Sequence, residues 1–133
     1  MRALARRLTR EGYTHTVEIR QHRLTADEPL DMDGDDKGPT PQELLAASLA
    51  SCMAITLDMY ARRRGWDVGL AEVECSYEQP SDRAAPTRFE CVLRLPSALD
   101  DDQRQRLRLI AAKCPVHRTL AAEVEFYERV EVI

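Results

Sequence analysis

The hydrophobic pattern is most regular in the middle of the chain. Leu44, Leu45, Ser48, Leu49, Cys52, Ile55 and Met59 recur at helical spacing. Just before them, Thr40 and Glu43 form a T-x-x-E capping box with Pro41 at the first helical position. The helix is expected to end near Gly65, with Arg62, Arg63 and Arg64 at its negative dipole end. At 1.5 Å per residue it would be about 36 Å long, comparable to a small domain's diameter, so it must be central. Small residues (Ala46, Ala47, Ala50, Ser51, Ala54) spread around its circumference and permit close neighbours on several sides, a second subunit included.

Shorter patterns flank this helix. Thr14 to Thr25 alternates loosely and predicts a hairpin turning at Gln21-His22, followed by a loop rich in aspartate and glycine from Asp31 to Pro39. Leu70 to Tyr77 and Arg88 to Leu95 read as a second hairpin across the polar stretch Gln79 to Pro86. Leu99 to Ala112 predicts a second helix with Asp100, Asp101 and Asp102 at its N-terminus. A short helical turn is expected at Val116 to Leu120 and a closing strand at Val124 to Ile133. The order β-β-α-β-β-α-β reads as α+β, with antiparallel strands against helices in a single domain, 1–133.

Length and composition narrow the function. The 133 residues are 44% apolar with a net charge of -4, which gives no basic patch for nucleic acid. The apolar run Leu44 to Leu57 is broken by Ser48, Ser51, Cys52 and Thr56 and reads as too short to cross a membrane. The basic N-terminus lacks a signal-peptide core, and the expected location is the cytoplasm. No G-x-S-x-G motif supports a hydrolase. Asp31, Asp33 and Asp35 are spaced like the start of a calcium loop, but Asp36 stands where glycine is required and Gln42 where the bidentate acid would fall.

Four cysteines remain as candidate chemistry: Cys52, Cys75, Cys91 and Cys114. Their spacing suits neither a disulfide scaffold nor zinc. Cys52 sits among apolar neighbours, which argues for an inert thiol. Cys114 precedes Pro115, so a helical turn starting there would bring its sulfur near backbone N–H groups that favour the thiolate; the competing reading is a small side chain at a helix stop. Cys75 and Cys91 fall on the middle strands and read as packing. His117, three residues after Cys114, reads either as a proton shuttle on a shared helical face or as a surface histidine. His15 and His22 are too scattered to form a metal site.

Two segments carry a resemblance. Gly38 to Trp66, GPTPQELLAASLASCMAITLDMYARRRGW, resembles the first cysteine motif and central helix of the OsmC/Ohr family, and Lys113 to Leu120, KCPVHRTL, resembles its second. His22 to Pro29, HRLTADEP, and the order of elements are similar to small stand-alone members. The resemblance implies an OsmC-like fold in an intertwined homodimer with active sites at the interface. It also implies a peroxidatic Cys52, a resolving Cys114, an organic hydroperoxide substrate, an external dithiol reductant and no prosthetic group. In that family an arginine supports the thiolate and a glutamate ten residues before the first cysteine holds the arginine. Here that position is Gln42, and the acid is Glu43, nine before, where it doubles as the capping-box partner. Arg20 is the preferred arginine over Arg23, though both flank the hairpin turn. These departures keep a second reading open, a redox sensor or binder of small hydrophobic ligands on the same fold.

Overall fold

The computed structural model describes residues 1–133. The chain forms two compact units, Met1–Ala47 and Ser48–Ile133.

In the first unit, strands β1 (Leu4–Arg7), β2 (His15–Ile19) and β3 (His22–Ala26) make an antiparallel sheet in that order. The β2–β3 turn lies at Arg20-Gln21, one residue earlier than the pattern suggested, with Arg20 at φ +56°. That value belongs to the mirror-handed turns that match the twist of a hairpin. The acidic loop after β3 is tied down by Asp27, which is buried: it accepts from Thr14 Oγ1 at 2.9 Å, from its neighbour Glu28 N at 2.8 Å and from Lys37 N at 3.3 Å. Gly34 packs so closely on the Glu28 backbone that a Cβ would lie 1.8 Å from its carbonyl oxygen.

Burial alone would push the Asp27 carboxyl up, but the hydrogen bonds from Glu28, Thr14 and Lys37 outweigh it and hold the group below the ordinary 3.8. A depressed folded-state value contributes stability above the unfolded value, lost as pH falls through the folded one. Asp27→Asn is therefore expected to lower the melting temperature at pH 7. The gap to wild type should narrow progressively below pH 3.8, and thermal melts across pH 2 to 7 would read it.

Helix α1 (Pro41–Arg64) begins as its capping box dictates, with Thr40 N donating to Glu43 Oε2 at 2.8 Å and Glu43 N to Thr40 Oγ1 at 3.2 Å. It ends in a Schellman turn: Gly65 takes φ +66°, Trp66 N donates to Ala61 O, and Gly65 N to Arg62 O. Contrary to the sequence reading, α1 is long and apolar enough to cross a membrane by length and composition, with a mean hydropathy of 1.5 over its most apolar window. Ser48, Ser51, Cys52 and Thr56 break the apolar run but leave the average over that window high. Its stripe Leu49, Met53, Leu57 and Ala61 is instead buried in the core of the second unit, a use that core helices make of such sequences.

The rest of that core comes from strands β4 (Glu72–Glu78) and β5 (Arg88–Arg94) and helix α2 (Asp101–Ala111). β4 and β5 pair antiparallel, with the inner face made of Val73 opposite Leu93, Cys75 opposite Cys91, and Tyr77 opposite Phe89. The last two rings stack at 4.5 Å. Glu72, Glu74, Arg88 and Arg94 face outward. α2 is capped by Asp100 in a reciprocal box with Gln103 and buries Leu107 and Ala111. Helix α3 (Pro115–Leu120) follows at once.

The architecture is α+β with antiparallel sheets and a long helix, but the element order departs from expectation at both ends. β1 was not foreseen, because its LARR sequence is mostly exposed and its strand form rests on backbone pairing with β2. The closing strand at Val124 to Ile133 does not form. Val124, Phe126, Val130 and Val132 are exposed and the backbone is irregular, since alternation supplies strand propensity but no hydrogen-bonding edge pairs with this segment.

Candidate redox site

Local rules place Cys114. The residue before a proline is driven toward extended backbone, and Cys114 has φ -61° and ψ 152°. It therefore becomes the N-cap of α3, with Pro115 in the first position, where a missing N–H costs nothing. Its Sγ takes the role of a capping oxygen and accepts from His117 N at 3.3 Å. The end of α2 delivers it to the core, and the residue is fully buried.

Cys52 arrives from α1, one position before the buried Met53, and is half-buried. Its Sγ accepts the Val116 N–H at 3.5 Å, and it is near enough to the Cys114 thiol to influence it. Thr56 Oγ1 closes the Cys52 carbonyl at 2.8 Å. Two segments separated by 61 residues thus bring two sulfurs and the first N–H groups of α3 together.

The electrostatics of Cys114 correct the sequence expectation. The helical turn and its N–H donors are present, yet burial pushes the Cys114 thiol up. The His117 and Val116 amides pull the other way without prevailing, and the hydrogen bond and charge of Cys52 reinforce the rise. The N-terminal turn was legible from Pro115; the desolvation that overrides it comes from tertiary packing.

The other predicted residues are placed by local duties. Glu43 is exposed and caps α1. Arg20, exposed at the hairpin turn, reaches His22 Nε2 at 3.4 Å, and Arg23 pairs with Glu18 at 3.7 Å. His117 is half-buried and lines a cavity of about 380 Å³ together with Leu49, Met53, Phe89, Cys91 and Arg108. That volume lies in the range of small-molecule pockets, and its wall is mostly apolar. Cys52 and Cys114 are not among the lining residues.

Cys75 and Cys91 pack against the core, as their place on the middle strands implies, and they also meet each other. Cys75 Sγ donates to Cys91 Sγ at 2.8 Å, and Met53 Sδ lies 3.8 Å from Cys75 Sγ. Burial first, then the hydrogen bond to Cys91 and the charges of Cys91 and Cys114, push the Cys75 thiol up to about 12. The signal was in the hairpin: strands centred on one loop place residues 75 and 91 opposite each other. No group of three or more His, Cys, Asp or Glu side chains is arranged to hold a metal ion.

A model of the OsmC-like protein family matches residues 34–129. Among solved structures, an OsmC-like protein from Mycoplasma pneumoniae superposes with a TM-score of 0.75 at 20% identity, covering 90% of this chain and 86% of that one. The organic hydroperoxide resistance protein OsmC of Legionella pneumophila gives 0.66 at 17% identity over 89% and 86%. An organic hydroperoxide resistance protein from Elizabethkingia anophelis, with thiocyanate bound, gives 0.66 at 19% over 88% and 84%. These likenesses establish the fold. No curated protein matches the chain in sequence.

Proposed function

Since the chain belongs to the OsmC-like family, we propose that it reduces organic hydroperoxides through Cys52 and Cys114, as a homodimer. The observation that carries this reading is the meeting of the two cysteines at the first turn of α3, where Val116 N donates to Cys52 Sγ at 3.5 Å and His117 N to Cys114 Sγ at 3.3 Å. The Cys52 thiolate attacks the distal peroxide oxygen, the O–O bond breaks, and the alkoxide takes a proton and leaves as the alcohol. Cys52 is then a sulfenic acid. Cys114 attacks its sulfur; the S–S bond forms, the S–O bond breaks, and hydroxide leaves as water with the Cys114 proton. A buried Cys114, its thiol pushed up, keeps that proton until this step. An external dithiol returns both thiols by exchange.

Arg20 and Glu43 complete the proposed set, in the roles the family resemblance gives them, a supporting arginine and the carboxylate that holds it. A carboxylate has acceptor capacity beyond one amide, so capping α1 does not exclude that role. Two surfaces favour a second copy of the chain: the exposed Ile55 and Met59 on α1, and the unpaired, alternating segment from Val124 to Ile133. Four free cysteines suit a reducing compartment, the cytoplasm in this reading.

Cumene hydroperoxide, matched to the apolar cluster against which Cys52 packs, is expected to be consumed at least about tenfold faster than hydrogen peroxide in a steady-state assay with a dithiol, roughly the discrimination one or two apolar groups supply. Equal rates would sink the organic-substrate claim. The burial of Cys114 and its raised thiol favour one second reading, a sensor that forms the Cys52–Cys114 disulfide and cycles slowly. Mass spectrometry separates the two: a disulfide that persists in dithiol marks the sensor.

A further inference from the structure

We propose that Cys75 and Cys91 are a second redox couple, a cross-strand dithiol that a hydroperoxide entering the cavity at Cys91 converts to a disulfide. This does not depend on the roles given to Cys52 and Cys114.

Packing explains why both side chains are half-buried but not why the sulfurs face each other. Cys75 and Cys91 are direct partners in the β4–β5 register. Directly opposed residues in antiparallel strands have Cα atoms about 4.5–5.5 Å apart, inside the window of roughly 4.4–6.8 Å that a disulfide spans. The sulfurs already stand 2.8 Å apart, so closing to the bond length of about 2.05 Å requires only a small side-chain rotation. Val73 opposite Leu93 on one side and the stacked Tyr77 and Phe89 on the other pin the strands at this pair.

The two sulfurs are not equivalent. Cys75 does not line the cavity, and burial keeps it protonated. Cys91 is the member that lines the cavity of about 380 Å³, where a hydroperoxide can reach it. Cys91 is therefore the nucleophile. As its thiolate attacks the distal oxygen, the O–O bond breaks and the alkoxide leaves as the alcohol, taking up the proton Cys91 released. Cys75 then attacks the Cys91 sulfenic acid; the S–S bond forms, the S–O bond breaks, and water leaves with the Cys75 proton. One hydroperoxide accepts two electrons, one from each sulfur.

The test uses the full chain carrying Cys52→Ser and Cys114→Ser together, treated with equimolar cumene hydroperoxide, then alkylated and digested. The expected result is the loss of both remaining alkylatable thiols and a linked peptide pair containing Cys75 and Cys91. Adding Cys91→Ser should leave Cys75 fully alkylatable. Two thiols that stay alkylatable in the folded double variant would overturn the proposal. Wild-type protein is oxidised in parallel, in case the double variant does not fold. There, with peroxide in excess of all four thiols, a Cys75–Cys91 linkage supports the couple whether or not Cys52 turns over, whereas a linkage still confined to Cys52 and Cys114 rejects it.

Discussion

Cys52→Ser is expected to abolish cumene hydroperoxide turnover, a loss on the order of 10⁴-fold or more, the scale on which removal of a nucleophile acts. A serine hydroxyl keeps the size and the hydrogen bonds at this position of α1, but it is neither ionised near neutral pH nor nucleophilic toward a peroxide oxygen. Cys114→Ser is expected to block catalytic cycling as well, for a different reason. Cys52 would still be oxidised once, and its sulfenic acid, with no neighbouring thiol to condense with, should accumulate and be trapped by a dimedone probe. The donor geometry makes the comparison sharp. Cys52 receives the Val116 N–H whether or not residue 114 is a thiol, so the first oxidation should survive in Cys114→Ser while turnover fails. Trapping in both variants, or in neither, would contradict the division of roles. Residual slow oxidation in Cys52→Ser that maps to Cys75 and Cys91 would report the second couple and leave the division intact.

Legibility in the sequence followed the range of the forces involved. α1 was readable at both ends because its capping box and its Gly65 turn are local: Thr40, Glu43, Ala61 and Trp66 satisfy the terminal groups within a few residues. The same holds for Cys114, whose extended backbone and N-cap position follow from Pro115. Strands depend on distant partners, and here the reading failed in both directions. β1 pairs with β2 despite a weak pattern, while Val124 to Ile133 has a good pattern and no paired edge. Charge states also escaped. The Cys114 thiol is raised by a core assembled from Leu49, Met53, Leu107 and Ala111, which no local motif announces. Cys75 and Cys91 were visible as residues, but their approach to 2.8 Å needed the hairpin register.

The stability of the site should rest on the residue that joins α2 to that core. Leu107 has no solvent exposure, and with Leu57, Ala61 and Ala111 it fills the layer between α1 and the helix that delivers Cys114. Leu107→Ala removes buried methyl groups from a layer held on one side by the α1 stripe and on the other by the α2 backbone, so the space can close only in part. The expected cost is about 2–5 kcal/mol. For a chain of 133 residues, that lowers the melting temperature by roughly 7–18 °C. Leu109, two residues on and exposed, is the control: Leu109→Ala should cost less than about 1 kcal/mol, since its side chain leaves no sealed cavity. Calorimetry of the two variants at several protein concentrations separates packing within the chain from packing between copies. A Leu107→Ala loss that is independent of concentration places the effect in the core of the single chain. A Leu109→Ala loss that grows on dilution would mean that a second copy covers α2, because only an interface makes unfolding concentration-dependent.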